Sequence, residues 1–240
     1  NWTTLRRSSL GIWPKEVGPI MTDSLSAISY YSQQDGWAVG THTGDYNIKT
    51  SILEKGNGIN WNAAWGDLDD QSPDFKPIGI AAVDANNVWV SGSTGSGSTG
   101  SAVNAIRIVK SGSQNIGWAI RNDGRILQTT DGANWSVLTS PTIPAGNGDL
   151  AVFDATHVTI AYGSGQFLIY DGSNWIFEST DSSITKPSVA WAGGDAVAVN
   201  SAANAIRIGQ GSPSSFTWTQ PFTVPQASWK MRYLVCRLDG

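Results

Sequence analysis

The amino-acid sequence predicts an all-β fold in which four short strands form a sheet and the sheet recurs about every 40 residues. Three observations lead to this fold class. Apolar and polar residues alternate in short runs, turn signals separate the runs, and an Asp-Gly pair followed by Asn-Trp returns along the chain. Four-stranded sheets at this spacing are typical of a β-propeller, in which the sheets form blades around a central channel.

The repeat is clearest in two segments, RILQTTDGANWSVL at 125–138 and QFLIYDGSNWIFE at 166–178. Each has an apolar run, then Asp-Gly, then Asn-Trp and a second run, and Asp-Gly between alternating runs predicts a β-hairpin. Another pair of runs precedes each segment, at 104–120 and at 150–163. One unit is therefore predicted to be a meander of four strands.

Two strands of this unit can be followed through the chain. The predicted second strand reads DGWAVG at 35–40, NVWVSG at 87–92, IGWAI at 116–120, HVTIAYG at 157–163 and DAVAVN at 195–200. The predicted fourth strand reads INWNAAW at 59–65, ANWSVL at 133–138, SNWIFE at 173–178 and FTWTQ at 216–220. The period divides residues 1–240 into six blades of one propeller domain, with five or seven blades as alternatives.

The two ends of the chain match this pattern when they are joined. The C-terminal YLVCRLDG, 233–240, followed by the N-terminal NWTTL, 1–5, has the same order of run, Asp-Gly, Asn-Trp and run. We therefore expect the N-terminal strand to complete the last blade, which closes the ring. In the second blade the Gly/Ser tract at 91–101 replaces the outer strands, and it is either a degenerate blade or a long loop.

Composition excludes several classes of protein. The net charge is -4, and no basic stretch exceeds Arg6-Arg7, so nucleic-acid binding is not expected. No apolar run reaches the roughly 20 residues of a membrane span. The single cysteine, Cys236, excludes an internal disulfide and is predicted to be a buried small hydrophobe. Low charge and a start at Asn1 lead us to expect a processed, secreted or extracellular chain.

The motifs resemble those of known propeller families. GWAVG at 36–40, GWAI at 117–120 and GRILQTTDG at 124–132 resemble the repeat of photosystem II assembly and stability factors and the sialidase-type Asp-box. The Asp131 to Trp135 spacing is one residue shorter than in the Asp-box. The resemblance implies a propeller in which this motif is a structural turn. A looser similarity, in tryptophan content and low charge, is to tectonin-type propeller lectins.

Enzymatic activity is not predicted. A sialidase-like glycosidase would need an arginine cluster and a tyrosine with a glutamate partner, and no glutamate is placed beside a tyrosine. Arg107 and Arg207 lie in matching NAIRI segments, which indicates a structural role in the repeat, and Glu178 falls on an outer strand. His42 and His157 do not belong to a metal-spaced set.

Tryptophans outside the repeat are the candidates for ligand binding, because an exposed indole suits a sugar ring or a protein interface. Asn62 and Asp67, which lie near Trp65, could bond sugar hydroxyls, and His42, Asp45 and Tyr46 form a second loop of polar and aromatic residues. A purely structural role is the alternative for each loop. The predicted ligand-binding residues are Trp13, His42, Asp45, Tyr46, Asn62, Trp65, Asp67, Trp191 and Trp229.

A calcium site is the one cofactor left open. The loop GDLDDQSPD brings Asp67, Asp69, Asp70 and Asp74 close together in sequence, and calcium favours clustered oxygen ligands. The spacing lacks the register of a calcium-binding loop, so a solvated loop without metal is the favoured interpretation.

The function predicted from these features is that of a non-enzymatic binding protein. The first hypothesis is a secreted lectin with several shallow sites on the propeller loops, whose weak sites together give avidity. The alternative is a protein-docking scaffold similar to the assembly factors, and a sialidase-like glycosidase is third. The partners are therefore glycans or a protein, and the oligomeric state is left open.

Overall fold

The computed structural model of the chain is all-β, with twenty strands and no helix among the residues that it describes. The contacts between residues divide the chain into two compact units, Asn1–Ala102 and Val103–Gly240. No helix capable of spanning a bilayer occurs in the described part of the chain. The described residues are 3–5, 15–17, 24–32, 35–43, 49–56, 61–66, 76–93, 102–146, 148–163, 165–179, 188–192, 195–200, 205–212 and 215–223.

The first unit contains one four-stranded sheet and two two-stranded sheets, all antiparallel. The two-stranded sheets are β1 (Thr3–Leu5) with β2 (Lys15–Val17), and β7 (Lys76–Ala82) with β8 (Val88–Ser93). The four-stranded sheet is β3 (Ser24–Tyr30), β4 (Gly36–Thr43), β5 (Lys49–Gly56) and β6 (Trp61–Gly66).

The second unit contains three four-stranded antiparallel meanders. The first is β9 (Val103–Ser111), β10 (Gln114–Arg121), β11 (Arg125–Thr129) and β12 (Ser136–Thr142). The second is β13 (Gly148–Asp154), β14 (His157–Tyr162), β15 (Gln166–Tyr170) and β16 (Trp175–Ser179). The third is β17 (Ser188–Ala192), β18 (Asp195–Asn200), β19 (Ala205–Ser212) and β20 (Ser215–Thr223).

The strand positions inferred from the repeat are confirmed. The recurring second-strand motif lies in β4, β8, β10, β14 and β18, and each is second in its sheet. The recurring fourth-strand motif lies in β6, β12, β16 and β20. The Asp-Gly pairs at 131–132 and 171–172 connect third and fourth strands, and Gly132 and Gly172 have positive φ, which glycine adopts at no steric cost.

The cores of the second unit lie between neighbouring sheets. One cluster joins β9–β12 to β13–β16, with Trp118 and Leu168 fully buried in it. Another joins β13–β16 to β17, with Phe167 and Ile169 fully buried in it. Because successive residues of β15 point to opposite faces, each of its two faces fills a different core. This explains the uninterrupted apolar run FLI, which is typical of a strand buried on both faces.

Tryptophans at repeating strand positions are expected from the sequence to pack between blades, and several of them do. Trp118 is buried between two sheets, and Trp175 packs against the same cluster. In the first unit Trp37 packs against the cluster of Ala27, Val39 and Ile80, which joins the sheet β3–β6 to β7–β8. These contacts confirm the structural role predicted for these three tryptophans.

The matching NAIRI segments lie in strands, as expected, but they occupy different positions in their sheets. Arg107 lies in β9, the first strand of its sheet, whereas Arg207 lies in β19, the third strand of another. A five-residue motif with alternating apolar residues fits any strand with one buried face, so its sequence does not specify the position in the sheet.

Ring closure stays a prediction. The structure pairs Thr3–Leu5 with Lys15–Val17, in the register Thr3 to Val17. Residues 224–240, which include Cys236 and the C-terminal run, and residues 94–101 of the Gly/Ser tract lie outside the described residues.

Candidate binding site at the β10–β11 turn

Three charged residues converge where β10 ends and β11 begins, and we call Arg121, Asp123 and Arg125 the arginine cluster. Arg121 Nη2 lies 2.8 Å from Asp123 Oδ2, and Arg125 Nε lies 3.8 Å from the same oxygen. Two guanidinium groups therefore share one carboxylate, which leaves a net positive charge. The side chain of Arg125 is 58% exposed, that of Asp123 32% and that of Arg121 22%.

The backbone of this turn is fixed by the segment after β12. Gly124 has φ +84° and donates its N–H to Arg121 O at 3.0 Å. Its carbonyl accepts from Ile143 N at 2.9 Å, and Asn122 O accepts from Gly146 N at 2.8 Å. The side chain of Asp123 also accepts from Arg125 N at 3.2 Å. The guanidinium groups thus extend from a preorganised turn, which lowers the entropic cost of binding.

Asparagine amides border the cluster. Asn104 of β9 donates from Nδ2 to Asn122 Oδ1 at 3.3 Å, and both residues lie at the surface. Amides beside paired guanidinium groups supply further donors and acceptors for a polar ligand. The arrangement can bind a carboxylate or another oxyanion, and guanidinium groups bind such groups through charge-assisted, often bidentate hydrogen bonds.

A third arginine, Arg107, has a different role, because it connects neighbouring sheets. Arg107 Nη2 lies 3.6 Å from Asp149 Oδ1, and Arg107 Nη1 donates to Ile106 O at 2.8 Å. Asp149 Oδ2 accepts from Val189 N at 3.0 Å. One carboxylate on β13 therefore contacts both β9 and β17, the first strands of the neighbouring sheets.

The first unit has an equivalent contact between first strands. Ala82 N of β7 donates to Ser29 Oγ of β3 at 3.0 Å. In both units a polar side chain of one first strand thus accepts a backbone hydrogen bond from the next. These side chains satisfy backbone donors between sheets, so we assign them to the fold and not to ligand binding.

The Asp131-Gly132 turn lies at the opposite end of the sheet from the arginine cluster, because the β11–β12 and β10–β11 turns fall at opposite ends of an antiparallel meander. Asp131 Oδ1 accepts from Asn134 N at 2.7 Å, Ala133 N at 2.8 Å and Thr129 Oγ1 at 3.0 Å. Asn134 Nδ2 donates to its other oxygen at 2.7 Å. These donors, Asn134 N foremost, hold the pKa of Asp131 well below its usual value.

Two neighbouring turns are built in the same way. Asp171 accepts from Asn174 N at 2.7 Å and Ser173 N at 2.9 Å, and these bonds lower the pKa of its carboxyl. Asp154 contacts His157 Nδ1 at 2.9 Å through each oxygen. Burial acts to raise the pKa of Asp154, but hydrogen bonds from His157 and a neighbouring threonine leave it lowered.

The carboxylates of these turns are therefore occupied by donors of their own loops, whereas the arginine cluster has more donors than its one carboxylate can accept. A structural role for the turn carboxylates is what the family resemblance implies for the Asp-Gly motif. Among the described residues no group of three or more His, Cys, Asp or Glu is arranged to hold a metal ion.

The structure places only some of the predicted ligand-binding residues. Trp191 is 4% exposed and packs on Phe153 with ring centroids 5.6 Å apart, so its ring is a core element and the prediction of an exposed platform is wrong for it. His42 was expected in a loop but lies within β4, where it pairs with Thr50, because β4 and β5 continue pairing beyond the GWAVG motif.

The remaining predicted residues stay untested. Asn62 and Trp65 lie in β6, as expected from the repeat, and the structure specifies their positions in the strand only. The residues outside the described part are Trp13, Asp45, Tyr46, Asp67 and Trp229, together with the calcium candidates Asp69, Asp70 and Asp74.

The sequence analysis did not identify the arginine cluster as a binding site. The available signal is the segment RNDGR at 121–125, in which arginines flank an Asp-Gly turn. A hairpin at this turn places the two arginines side by side at the strand ends.

Comparisons with known proteins support the fold. No protein-family model matches the chain, and no curated protein matches it in sequence. Solved structures do match. The chain is similar to "YCF48 bound to D1 peptide", with 14% identity, a TM-score of 0.58, and coverage of 85% of this chain and 69% of that one.

Two further structures are similar over most of the chain. "Crystal structure of Nidogen/Laminin Complex" shares 12% identity, a TM-score of 0.57, and coverage of 83% of this chain and 81% of that one. A virginiamycin B lyase from Staphylococcus aureus shares 14% identity, a TM-score of 0.63, and coverage of 98% and 82%. The fold is a β-propeller. Because these proteins are named for different activities, the fold alone does not specify a function.

Proposed function

We propose that the protein is a non-enzymatic docking scaffold that binds an acidic peptide segment of a protein partner at the arginine cluster. The observation that carries the proposal is that Arg121 and Arg125 share the single carboxylate of Asp123 on a rigid, exposed turn. Clustered arginines are a recurring device for the recognition of acidic motifs. The secreted location expected from composition stays a prediction.

The similar structures favour this function over the lectin hypothesis. One is named for a bound peptide and another for a complex between two proteins. Both are β-propellers, and both names describe binding to polypeptides. The virginiamycin B lyase is named as an enzyme, which shows that the propeller fold is not specific to binding proteins. The chemistry of the arginine cluster, and not the fold, therefore supports the scaffold function.

The charge balance of the cluster predicts the kind of ligand. A surface ion pair contributes little to stability, so Asp123 can exchange its place beside Arg125 for a ligand carboxylate at small cost. Arg125 Nε is already 3.8 Å from Asp123, a long contact that leaves the exposed guanidinium able to form shorter bonds. A segment with two or more Asp or Glu side chains can engage both arginines.

The test is titration of the purified chain with a fluorescent Glu-rich octapeptide and with the same peptide carrying Gln in place of Glu. We expect only the Glu peptide to bind. Arg125→Gln should weaken binding about tenfold, the loss of one charge-assisted bond. Raising the ionic strength should weaken it further, because an exposed charge is screened.

Lys110→Gln is the matched control, since Lys110 is an exposed cation at the opposite end of the same sheet. Equal binding of both peptides, or equal loss in the Arg125→Gln and Lys110→Gln variants, contradicts the proposal. If the chain binds glycans on an array and does not bind the Glu peptide, the result contradicts the proposal and supports the lectin hypothesis.

A further inference from the structure

Asp-Gly pairs occur at 35–36, 123–124, 131–132 and 171–172 within the described residues. In such a pair the glycine nitrogen can attack Cγ of the aspartate side chain, because glycine has no side chain to hinder the close approach. Three properties control the attack, and the structure specifies all of them. They are the access of water to the glycine, the hydrogen bonding of its N–H, and the hydrogen bonding of the carboxyl group.

The glycines of the four pairs differ in exposure. Gly36, Gly124 and Gly132 are buried, whereas Gly172 is partly exposed. The attacking nitrogen must lose its proton to a base, so it must be within reach of water. Burial therefore disfavours the reaction at three of the four described pairs and leaves the pair of Asp171 and Gly172 accessible.

Hydrogen bonds at the glycine nitrogens show the same difference. Gly124 N donates to Arg121 O at 3.0 Å, and Gly132 N donates to Thr129 Oγ1 at 2.9 Å. Within the part of the chain that the structure describes, Gly172 N donates to no other residue. An amide that already donates must lose its bond before it can attack, and one such bond reduces the reactive population about fivefold.

The carboxyl groups of the two similar turns also differ. At Asp131 backbone and threonine donors reach Oδ1, and Asn134 Nδ2 donates to Oδ2 at 2.7 Å. At Asp171 the backbone donors Ser173 N and Asn174 N both reach Oδ1, at 2.9 Å and 2.7 Å. These donors lower the pKa of both carboxyls, and Asp131 has more of them. Because the uncharged carboxyl loses its oxygen more easily, the larger set of donors protects Asp131 further.

We propose that Asp171 and Gly172 form a site of spontaneous isoaspartate formation in the folded protein, the most reactive of the four described Asp-Gly pairs. Gly172 N loses its proton and forms a bond to Cγ of Asp171, and the carboxyl hydroxyl leaves as water. The product is a cyclic succinimide. Water then adds to one ring carbonyl and breaks its bond to the nitrogen. When this is the former main-chain carbonyl of Asp171, the chain continues through Cγ as isoaspartate, with no change in composition.

The modification would alter the turn between β15 and β16, because isoaspartate lengthens the main chain by a methylene group. Asp171 N donates to Asn174 O at 3.2 Å, and Tyr170 OH donates to Gly172 O at 3.0 Å. Both bonds require the native path of the chain. We therefore expect the pairing of Tyr170 with Trp175 at the start of β16 to weaken. The site does not depend on the arginine cluster or on the function proposed for that cluster.

The experiment is a peptide map of the full chain after incubation at neutral pH, with electron-transfer fragmentation to distinguish isoaspartate from aspartate. We expect the isoaspartate fraction at Asp171 to exceed that at Asp131 about fivefold or more, since one hydrogen bond distinguishes their glycine nitrogens. In concentrated urea the two fractions should become similar, because both turns are unfolded. Similar fractions in the folded chain, or a larger fraction at Asp35 or Asp123, contradict the proposal. An unmodified Asp171 in the folded chain, after the unfolded chain has reacted, contradicts it as well.

Thr129→Val is the matched variant, because valine has a similar shape and lacks the oxygen that accepts from Gly132 N and donates to Asp131. The isoaspartate fraction at Asp131 should rise about fivefold in this variant, and the fraction at Asp171 should stay unchanged. An unchanged fraction at Asp131 would show that hydrogen bonding does not control the reaction and would overturn the proposal. If the variant does not fold, the comparison of Asp171 with Asp131 in the unmodified chain still decides.

Discussion

Substitution of Gly124 by alanine tests whether the turn that carries the arginine cluster is as constrained as its geometry indicates. Gly124 has φ +84°, and a Cβ there would overlap the carbonyl oxygen of Ile143, well inside the 3.0 Å that real Cβ atoms keep. That oxygen belongs to backbone rather than to a flexible side chain, so the segment after β12 must move. Gly112, with φ +62° and open space around its Cβ position, is the matched control.

The two substitutions share one cost and differ in another. Positive φ costs an L-residue about 1–2 kcal/mol at either position. Only Gly124→Ala must also displace Ile143, which removes the 2.9 Å bond from Ile143 N to Gly124 O and costs about a further 1 kcal/mol before any strain. We expect Gly124→Ala to lose about 3 kcal/mol and Gly112→Ala about 1 kcal/mol.

The assay is thermal unfolding followed by tryptophan fluorescence, together with titration of the Glu peptide. For a chain of this size a loss of 3 kcal/mol lowers Tm by about 6–12 °C. Because the displaced turn carries Arg121 and Arg125, the Gly124→Ala variant should also bind the peptide more weakly than the Gly112→Ala variant. Equal Tm values for the two variants would refute the steric argument.

Three further predictions follow from the contacts. The hydrogen-bond donors of its turn lower the pKa of Asp131 below the usual carboxyl value of 3.8, so the stability that Asp131 contributes is present above pH 3.8 and is lost as the pH falls further. The Tm of the Asp131→Asn variant should therefore fall less between pH 5 and pH 2 than the Tm of the unmodified chain. Phe167→Ala should cost about 3–5 kcal/mol by urea unfolding because Phe167 is fully buried, whereas Phe177→Ala, at a residue 61% exposed on the adjacent strand, should stay within about 0.5 kcal/mol. Asp149→Ala should cost about 1–3 kcal/mol because Val189 N loses its acceptor, and amide exchange at Val189 should accelerate; an unchanged exchange rate there would contradict the bond between sheets.

Hairpins were accessible from sequence because their signals are local. The Asp-Gly turns at Asp131 and Asp171 form hydrogen bonds with residues two and three positions away, so the motif itself contains both donor and acceptor. Strand alternation then specifies which residues share a face of the sheet. The arginine cluster is equally local, spanning 121–125, and a search for charged residues flanking hairpin turns would have identified it.

Long-range features depended on the tertiary structure. Trp191 and Trp229 are alike in the sequence as non-repeating tryptophans, but the burial of Trp191 against Phe153 follows from the packing of β17 on β13, which no local pattern specifies. The bond from Val189 to Asp149 joins residues 40 positions apart. The sequence by itself determined the strands and their order within each sheet, since turn chemistry and alternation act within a few residues. Only the tertiary structure decided which faces of the sheets are covered, because burial depends on elements that are distant along the chain.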